Sequence, residues 1–284
     1  MRCNINSNPL NQFLFMKNYI LLLFGLFIAI PSFAQLELGI KAGGAFYFGD
    51  LAADNKSSIH NSKESFGLHA RYYFKSNLSV QASFNYAQII GTDAYSAASN
   101  RYRNLSVNTF INEFSVMPEY SFINKKIGES SKFSMYAATG LSVFHFTPTT
   151  YYKSSAYIRL QEIGTEGQGM AGYDSPYSQV SLAIPMSLGT KLAITDFLSI
   201  EWTILNNRIT FTDYLDDVST LYPNLDQLRA EKGQRAVDLS TRGTNRKEGD
   251  GRGNADTNDW FGTMTFGLNF NIGAVSMKKK KGKK

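Results

Sequence analysis

Leu36 to Gly49 reads LELGIKAGGAFYFG, and its even positions Leu36, Leu38, Ile40, Ala42, Gly44, Phe46 and Phe48 are apolar or small. The odd positions Glu37, Gly39, Lys41, Gly43, Ala45, Tyr47 and Gly49 are charged, small or amphipathic. A period of two over this length is a β-strand with one greasy face and one wetter face. Half-buried strands of soluble proteins run to about half this length. A tilted strand crossing a bilayer needs about 9–11 residues, with lipid on its apolar side.

The rest of the chain repeats this pattern. A second strand, Ser65 to Phe74, sets Phe66, Leu68, Ala70, Tyr72 and Phe74 against His69 and Arg71. After the tight turn 75–77, Leu78, Val80, Ala82, Phe84 and Tyr86 oppose Ser79, Gln81, Ser83 and Asn85. A fourth strand, about Leu105 to Phe122, turns Phe110, Phe114, Val116, Tyr120 and Phe122 away from Glu113, Ser115, Met117 and Glu119. Pro118 lies within it and predicts a local break in the ladder. The fifth, Phe133 to Phe146, is ambiguous: Tyr136, Ala138, Gly140, Phe144 and Phe146 compete with Met135, Ala137, Leu141 and Val143 for the apolar face. Tyr177 to Leu192, the stretch from Leu198 through Ile204, and Trp260 to Ile272 complete eight.

Connections alternate between short (75–77, 123–132, 193–197) and long (50–64, 91–104, 147–176, 211–258). An even strand count with short periplasmic turns and long external loops is the plan of a bacterial transmembrane barrel. Aromatics band at both ends: Phe46, Phe48, Phe66, Tyr86, Phe144 and Trp260 near the outer rim, and Tyr72, Phe74, Tyr120, Phe122 and Phe270 near the inner one. The expected fold is an all-β, eight-stranded antiparallel up-and-down transmembrane barrel over residues 35–275. A lipocalin-like soluble barrel is the rival, and it would turn the apolar face inward. Eight strands leave an interior filled by side chains. Glu37, Lys41, Arg71, Glu113, Glu119, Lys191 and Glu201 are expected there as a mutually paired network.

Composition agrees with this plan: 14% of residues are aromatic and only 18% are charged. The net charge of +6 comes from the ends. Six lysines of the tail (Lys278 to Lys281, Lys283, Lys284) with Arg2 and Lys17 remove eight positive charges, leaving −2 for the body. A near-neutral body offers no basic face to nucleic acid. Residues 1–34 read as an extension plus a signal peptide, with Met16 the expected start. Lys17 begins it, Tyr19 to Ile30 form the apolar core, and cleavage is expected after Ala34. The basic tail is 276–284. The single cysteine, Cys3, falls in the removed piece, so disulfides and cysteine nucleophiles are not expected in the mature chain.

Little chemistry stands out. Of three histidines (His60, His69, His145), His145 with Ser142 is the pairing considered, and no sequence-close carboxylate supports a triad there. Packing is the better reading, and no catalytic, cofactor or metal residue is assigned. Asp213, Asp216 and Asp217, and later Asp250, Asp256 and Asp259, lack calcium-loop spacing and read as a solvated loop or as loop-to-loop salt bridges. Asn224 before LDQLRAEKGQRAV predicts a short helix from Leu225 that would lid the mouth.

Four blocks carry a resemblance to a known family: AGGAFYFGDL near Ala42, IGTEGQGM from Ile163, FTDYLDDVST from Phe211, and NDWFG at Asn258. Together with the strand spacing they resemble the PorG-like outer-membrane barrels of the Bacteroidetes type IX secretion system. Thr265 to Ile272 also resembles the closing-strand signal of assembled barrels. The resemblance implies a non-enzymatic outer-membrane component, without cofactors or small-molecule substrate. Its partners would be membrane lipid and the periplasmic ring proteins that it docks or anchors. An OmpA-like or OmpX-like structural or adhesive barrel is the alternative. A lipid-modifying enzyme acting through His145 is a third.

Overall fold

The structure is a computed structural model that describes residues 35–52, 61–95, 101–127, 131–153 and 157–272. The signal peptide, Cys3, His60, the 128–130 part of the second turn and the lysine tail lie outside the described residues. The strands are β1 (Leu36–Phe48), β2 (Lys63–Lys75), β3 (Leu78–Thr92), β4 (Ser106–Ile127), β5 (Ser131–Thr139), β6 (Leu141–Thr150), β7 (Ile158–Arg159), β8 (Val180–Ala193), β9 (Leu198–Thr210) and β10 (Trp260–Asn271). Every pairing is antiparallel, and neighbours in sequence pair in space around the ring. β5 and β6 are two halves of one stave, and β7 pairs only with the end of β6. Pairing of β1 with β10, Leu38 opposite Phe270 and Phe48 opposite Trp260, closes an eight-stave barrel. A 13-residue strand such as β1 is about 43 Å long. Tilted by about 40°, it clears a hydrocarbon core of about 30 Å.

The two faces of the wall decide between membrane and water. Ile40, Phe66, Leu68, Phe84, Phe114, Leu182 and Phe266 point outward with half or more of their surface bare. The inward positions are polar and buried, among them Arg71, Gln81, Asn85, Glu113, Glu119, Glu201 and Asn269. A continuous apolar exterior around a polar centre is unstable in water and stable in hydrocarbon. The inverted arrangement of a lipocalin is excluded. Phe48 stacks on Trp260 at 3.8 Å at one rim, and Tyr72 meets Phe74 edge-on at 5.1 Å at the other.

Several boundaries move from their sequence assignments. β3 runs on to Thr92 and β4 to Ile127, so the second turn is shorter than 123–132. β8 begins at Val180, and Tyr177 belongs to the preceding loop. Strand five resolves its ambiguity with Tyr136, Ala138, Phe144 and Phe146 inward and Leu141 and Val143 outward. Phe144 is therefore no part of the outer girdle. The ladder is interrupted where Pro118 predicts it. No pair forms between Val116–Leu141 and Glu119–Ala138, because Pro118 has no N–H to give. Register nonetheless continues across the gap, since a Cβ on Gly140 would lie 2.0 Å from the Val116 carbonyl oxygen and none is there.

β9 departs from simple alternation. A register shift against β8 falls between Leu188 and Gly189, opposite Leu205 and Thr203. The bulged residue, Ile204, lets Thr203 and Asn206 both point inward, and it sends Arg208 into the lumen.

Candidate functional site: the lumen and its two ends

Going from the turn end to the loop end, the lumen has three layers. The first centres on Arg71, whose guanidinium donates to Glu37, to Glu119 Oε2 at 3.0 Å and to both oxygens of Glu201 at 3.1 Å. Lys191 Nζ donates to Glu119 Oε1 at 2.5 Å and to the Tyr73 hydroxyl at 3.2 Å. Tyr136 donates to Glu201, and Asn269 Nδ2 donates to Glu201 at 2.7 Å. His69 Nε2 is 4.0 Å from Glu201 and has no hydrogen-bond partner. Glu37, His69 and Glu201 bring ligand-type atoms within 4.8 Å of one another. Arg71 already supplies the cation between those two carboxylates.

In the second layer Arg208 grips Glu113 through Nε at 3.0 Å and Nη2 at 2.7 Å, and Nη1 donates to the Thr263 hydroxyl at 3.0 Å. The buried lumen thus holds four acids (Glu37, Glu113, Glu119, Glu201) and four bases (Lys41, Arg71, Lys191, Arg208). Buried charge is tolerated when it is matched and hydrogen-bonded, and here the count is even. Sequence alternation finds seven of the eight. It misses Arg208, because the β9 bulge shifts the phase. The signal was present: Ile204 and Leu205 are adjacent apolar residues, which strict alternation cannot place on one face.

The third layer is an apolar plug of Tyr47, Leu51, Ile89, Ile111, Phe144, Phe146 and Phe261, into which Leu215 and Val218 of the last long loop insert. Above it the loops lock together. The Tyr47 hydroxyl lies 2.6 Å from Asp216 Oδ2 and 2.8 Å from Asp259 Oδ1. The backbone N–H groups of Leu51 and Val218 donate to Asp216, and that of Leu215 donates to Asp259. Burial pushes the Asp216 and Asp259 carboxyls well above the usual carboxylate range. Burial also lifts Asp217 to about 6 and Asp213 to about 7. One hydroxyl proton cannot serve both Asp216 and Asp259, so the trio is satisfied when one carboxyl is protonated and donates back.

The remaining loops join through Glu166, Asp217 and Arg252. Glu166 accepts from the Ser219 N–H at 2.8 Å and from the Thr220 hydroxyl at 2.8 Å. Arg252 Nη1 donates to Glu166 at 2.8 Å, and Tyr177 donates to Asp217 at 2.7 Å. Arg103, in the second long loop, donates to the Arg252 and Asp50 carbonyls and to Asp93. Gly164, Gly167 and Gly169 turn the third loop at positive φ to present Glu166.

Asn224 caps α1 (Leu225–Lys232) as expected, its side chain accepting from the Gln227 N–H. Gly233 at φ 87° then ends the helix, and α2 (Gln234–Thr241) follows separately. The pair packs on Ile163, Met170 and Tyr173 of the third loop. The mouth is filled instead by the Leu215–Val218 segment, contrary to the expected helical lid. The six loop aspartates gather into no shared ligand set among the described residues. Ser142 points inward and His145 outward on β6, so the one Ser–His pairing considered does not form.

At the turn end the lumen opens into a cavity of about 380 Å³, lined by Lys75, Lys132, Lys191, Tyr73, Ser121 and Ser134 among others.

Comparison with solved structures returns small outer-membrane barrels at low similarity. Neisserial surface protein A matches at 11% identity, covering 83% of this chain and 96% of its own, with a TM-score of 0.41. Ail of Yersinia pestis matches at 12% identity, 83% and 97% coverage and TM-score 0.34. OprG of Pseudomonas aeruginosa matches at 12% identity, 82% and 95% coverage and TM-score 0.35. No curated protein matches the sequence. A family profile matches residues 17–234, well over half of the sequence, and the chain belongs to that family, described as Domain of unknown function (DUF6089).

Proposed function

We propose that this protein is a non-enzymatic outer-membrane barrel of the type IX secretion machinery, one that docks or anchors the periplasmic ring complex. The exposed apolar wall supports placement in a membrane, and the signal peptide read from the sequence supports export to the outer one. One observation carries the secretion reading. The four sequence blocks behind the family resemblance, far apart in the chain, converge on a single interlock: Tyr47 and Leu51 from the first, Glu166 from the second, Asp216 and Asp217 from the third, Asp259 from the fourth. That contact makes the four blocks one packed unit and supports reading them together. In the orientation expected of such barrels, this sealed end faces outward and the open end faces the periplasm.

A clean deletion tests the reading. We expect loss of type IX cargo from the medium and loss of ring proteins co-purifying from the outer membrane after mild detergent extraction. Normal cargo secretion with altered adhesion or envelope integrity would replace it with the OmpA-like or OmpX-like alternative.

A further inference from the structure

Among the described residues, the lumen opens at the turn end into a cavity whose charge they do not close. Glu37 also lines the cavity, but it is paired with Arg71, and Glu119 below is paired with Lys191. Lys75 and Lys132 line the cavity with exposed side chains and form no ion pair among the described residues. Hydroxyls of Ser121 and Ser134 add donors to the same wall, whereas that of Tyr73 already donates to Glu37. The volume is about 380 Å³, about a dozen times the share of one water in the liquid.

We propose that this cavity receives an acidic side-chain cluster from a periplasmic protein, a glutamate- or aspartate-rich segment inserted into the barrel from the turn side. The proposal rests on the reading above for the compartment in which the turn end lies. Charge selects the occupant, since two lysines that form no ion pair among the described residues, beside a third at the cavity floor, attract carboxylates and repel cations. The chain's own tail does not qualify, because residues 278–284 carry six lysines. A lipid headgroup does not qualify either. The cavity lies inside the strand ring, and leaflet lipids lie outside it.

The test is a titration of the full chain, purified in zwitterionic detergent, with fluorescein-labelled hexaglutamate, using hexaglutamine and inorganic phosphate as competitors. We expect hexaglutamate to bind in a salt-sensitive way and hexaglutamine not to compete. Lys132→Glu and Lys75→Glu should each weaken binding by about tenfold. Lys125→Glu makes the same charge change on an exposed residue outside the lining and should shift it less than about twofold. Ser134→Trp, which fills the cavity without changing charge, should also abolish binding. Heat-dependent gel mobility checks that each variant is folded. Absence of binding, equal effects of Lys132→Glu and Lys125→Glu, or competition by phosphate as strong as by the peptide would each overturn the proposal. A deletion strain with normal secretion would sink the secretion reading and leave this titration standing. A deletion that stops secretion, with Lys132→Glu binding peptide as wild type does, would overturn the cavity alone.

Discussion

The Glu113–Arg208 pair tests the lumen's charge balance one residue at a time. Both side chains are almost fully buried, so removing either leaves an unpaired charge at a cost of about 3–5 kcal/mol. We expect Glu113→Ala and Arg208→Ala each to destabilise the barrel by that amount in reversible unfolding from lipid vesicles. The double variant Glu113→Ala/Arg208→Ala should lose less than the two single variants together, and a simple sum of the two single losses would deny the pairing. Tyr47 poses the proton question at the mouth. Tyr47→Phe removes the hydroxyl that two carboxylates face and should cost about 1–3 kcal/mol. Asp216 and Asp259 hold their protons more tightly folded than unfolded, as do Asp213 and Asp217. Their contribution is therefore complete below the unfolded value of about 4 and is lost as pH rises through the folded values. Asp217 at about 6 and Asp213 at about 7 mark part of that window. We expect the melting temperature to be higher at pH 5 than at pH 8. Asp259→Asn lets an amide donate to Tyr47 while still accepting from the Leu215 N–H, so it should raise stability at pH 8 and flatten the profile.

At the scale of the strand, period-two alternation was readable wherever lipid lay on one side and polar lumen on the other. That covers β1, β2, β3, β4, β8, β10 and the part of β9 before its bulge, and with them seven of the eight lumen charges. It failed where that contrast disappears. Strand five passes from the ion-pair layer into the apolar plug, so its inward Phe144 and Phe146 are as greasy as its outward Leu141 and Val143. It failed again at β9, where one bulged residue reverses the phase. The α1 start was legible because Asn224 can cap it, but its packing was not, because loop-to-loop contacts leave no periodic trace. Gly140 gives the element-scale expectation. A Cβ there meets the Val116 carbonyl oxygen at 2.0 Å, and backbone on the neighbouring strand cannot yield as a side chain can. Gly140→Val should leave the chain unable to acquire heat-dependent gel mobility, whereas Val143→Ala, on the lipid face nearby, should fold.

For the molecule as a whole, closure depends on two seals in series. The outer seal is the Leu215–Val218 insertion with its acid and loop contacts. The inner is the layer in which Arg71, Lys191 and Tyr136 fill the cross-section between Glu37, Glu119 and Glu201. An eight-stave barrel has only enough room inside for side chains, and in this one the inner layer comes entirely from the wall. Nothing in that layer depends on the loops above it. Excising 213–219 should therefore unseal the mouth without opening a path. We expect wild type and the excision variant alike to show no conductance steps in planar bilayers. The excision variant should become susceptible to protease in the neighbouring loops. Steady channel openings after excision would mean that the ion-pair layer yields to water, and that the loops rather than the wall keep this barrel shut.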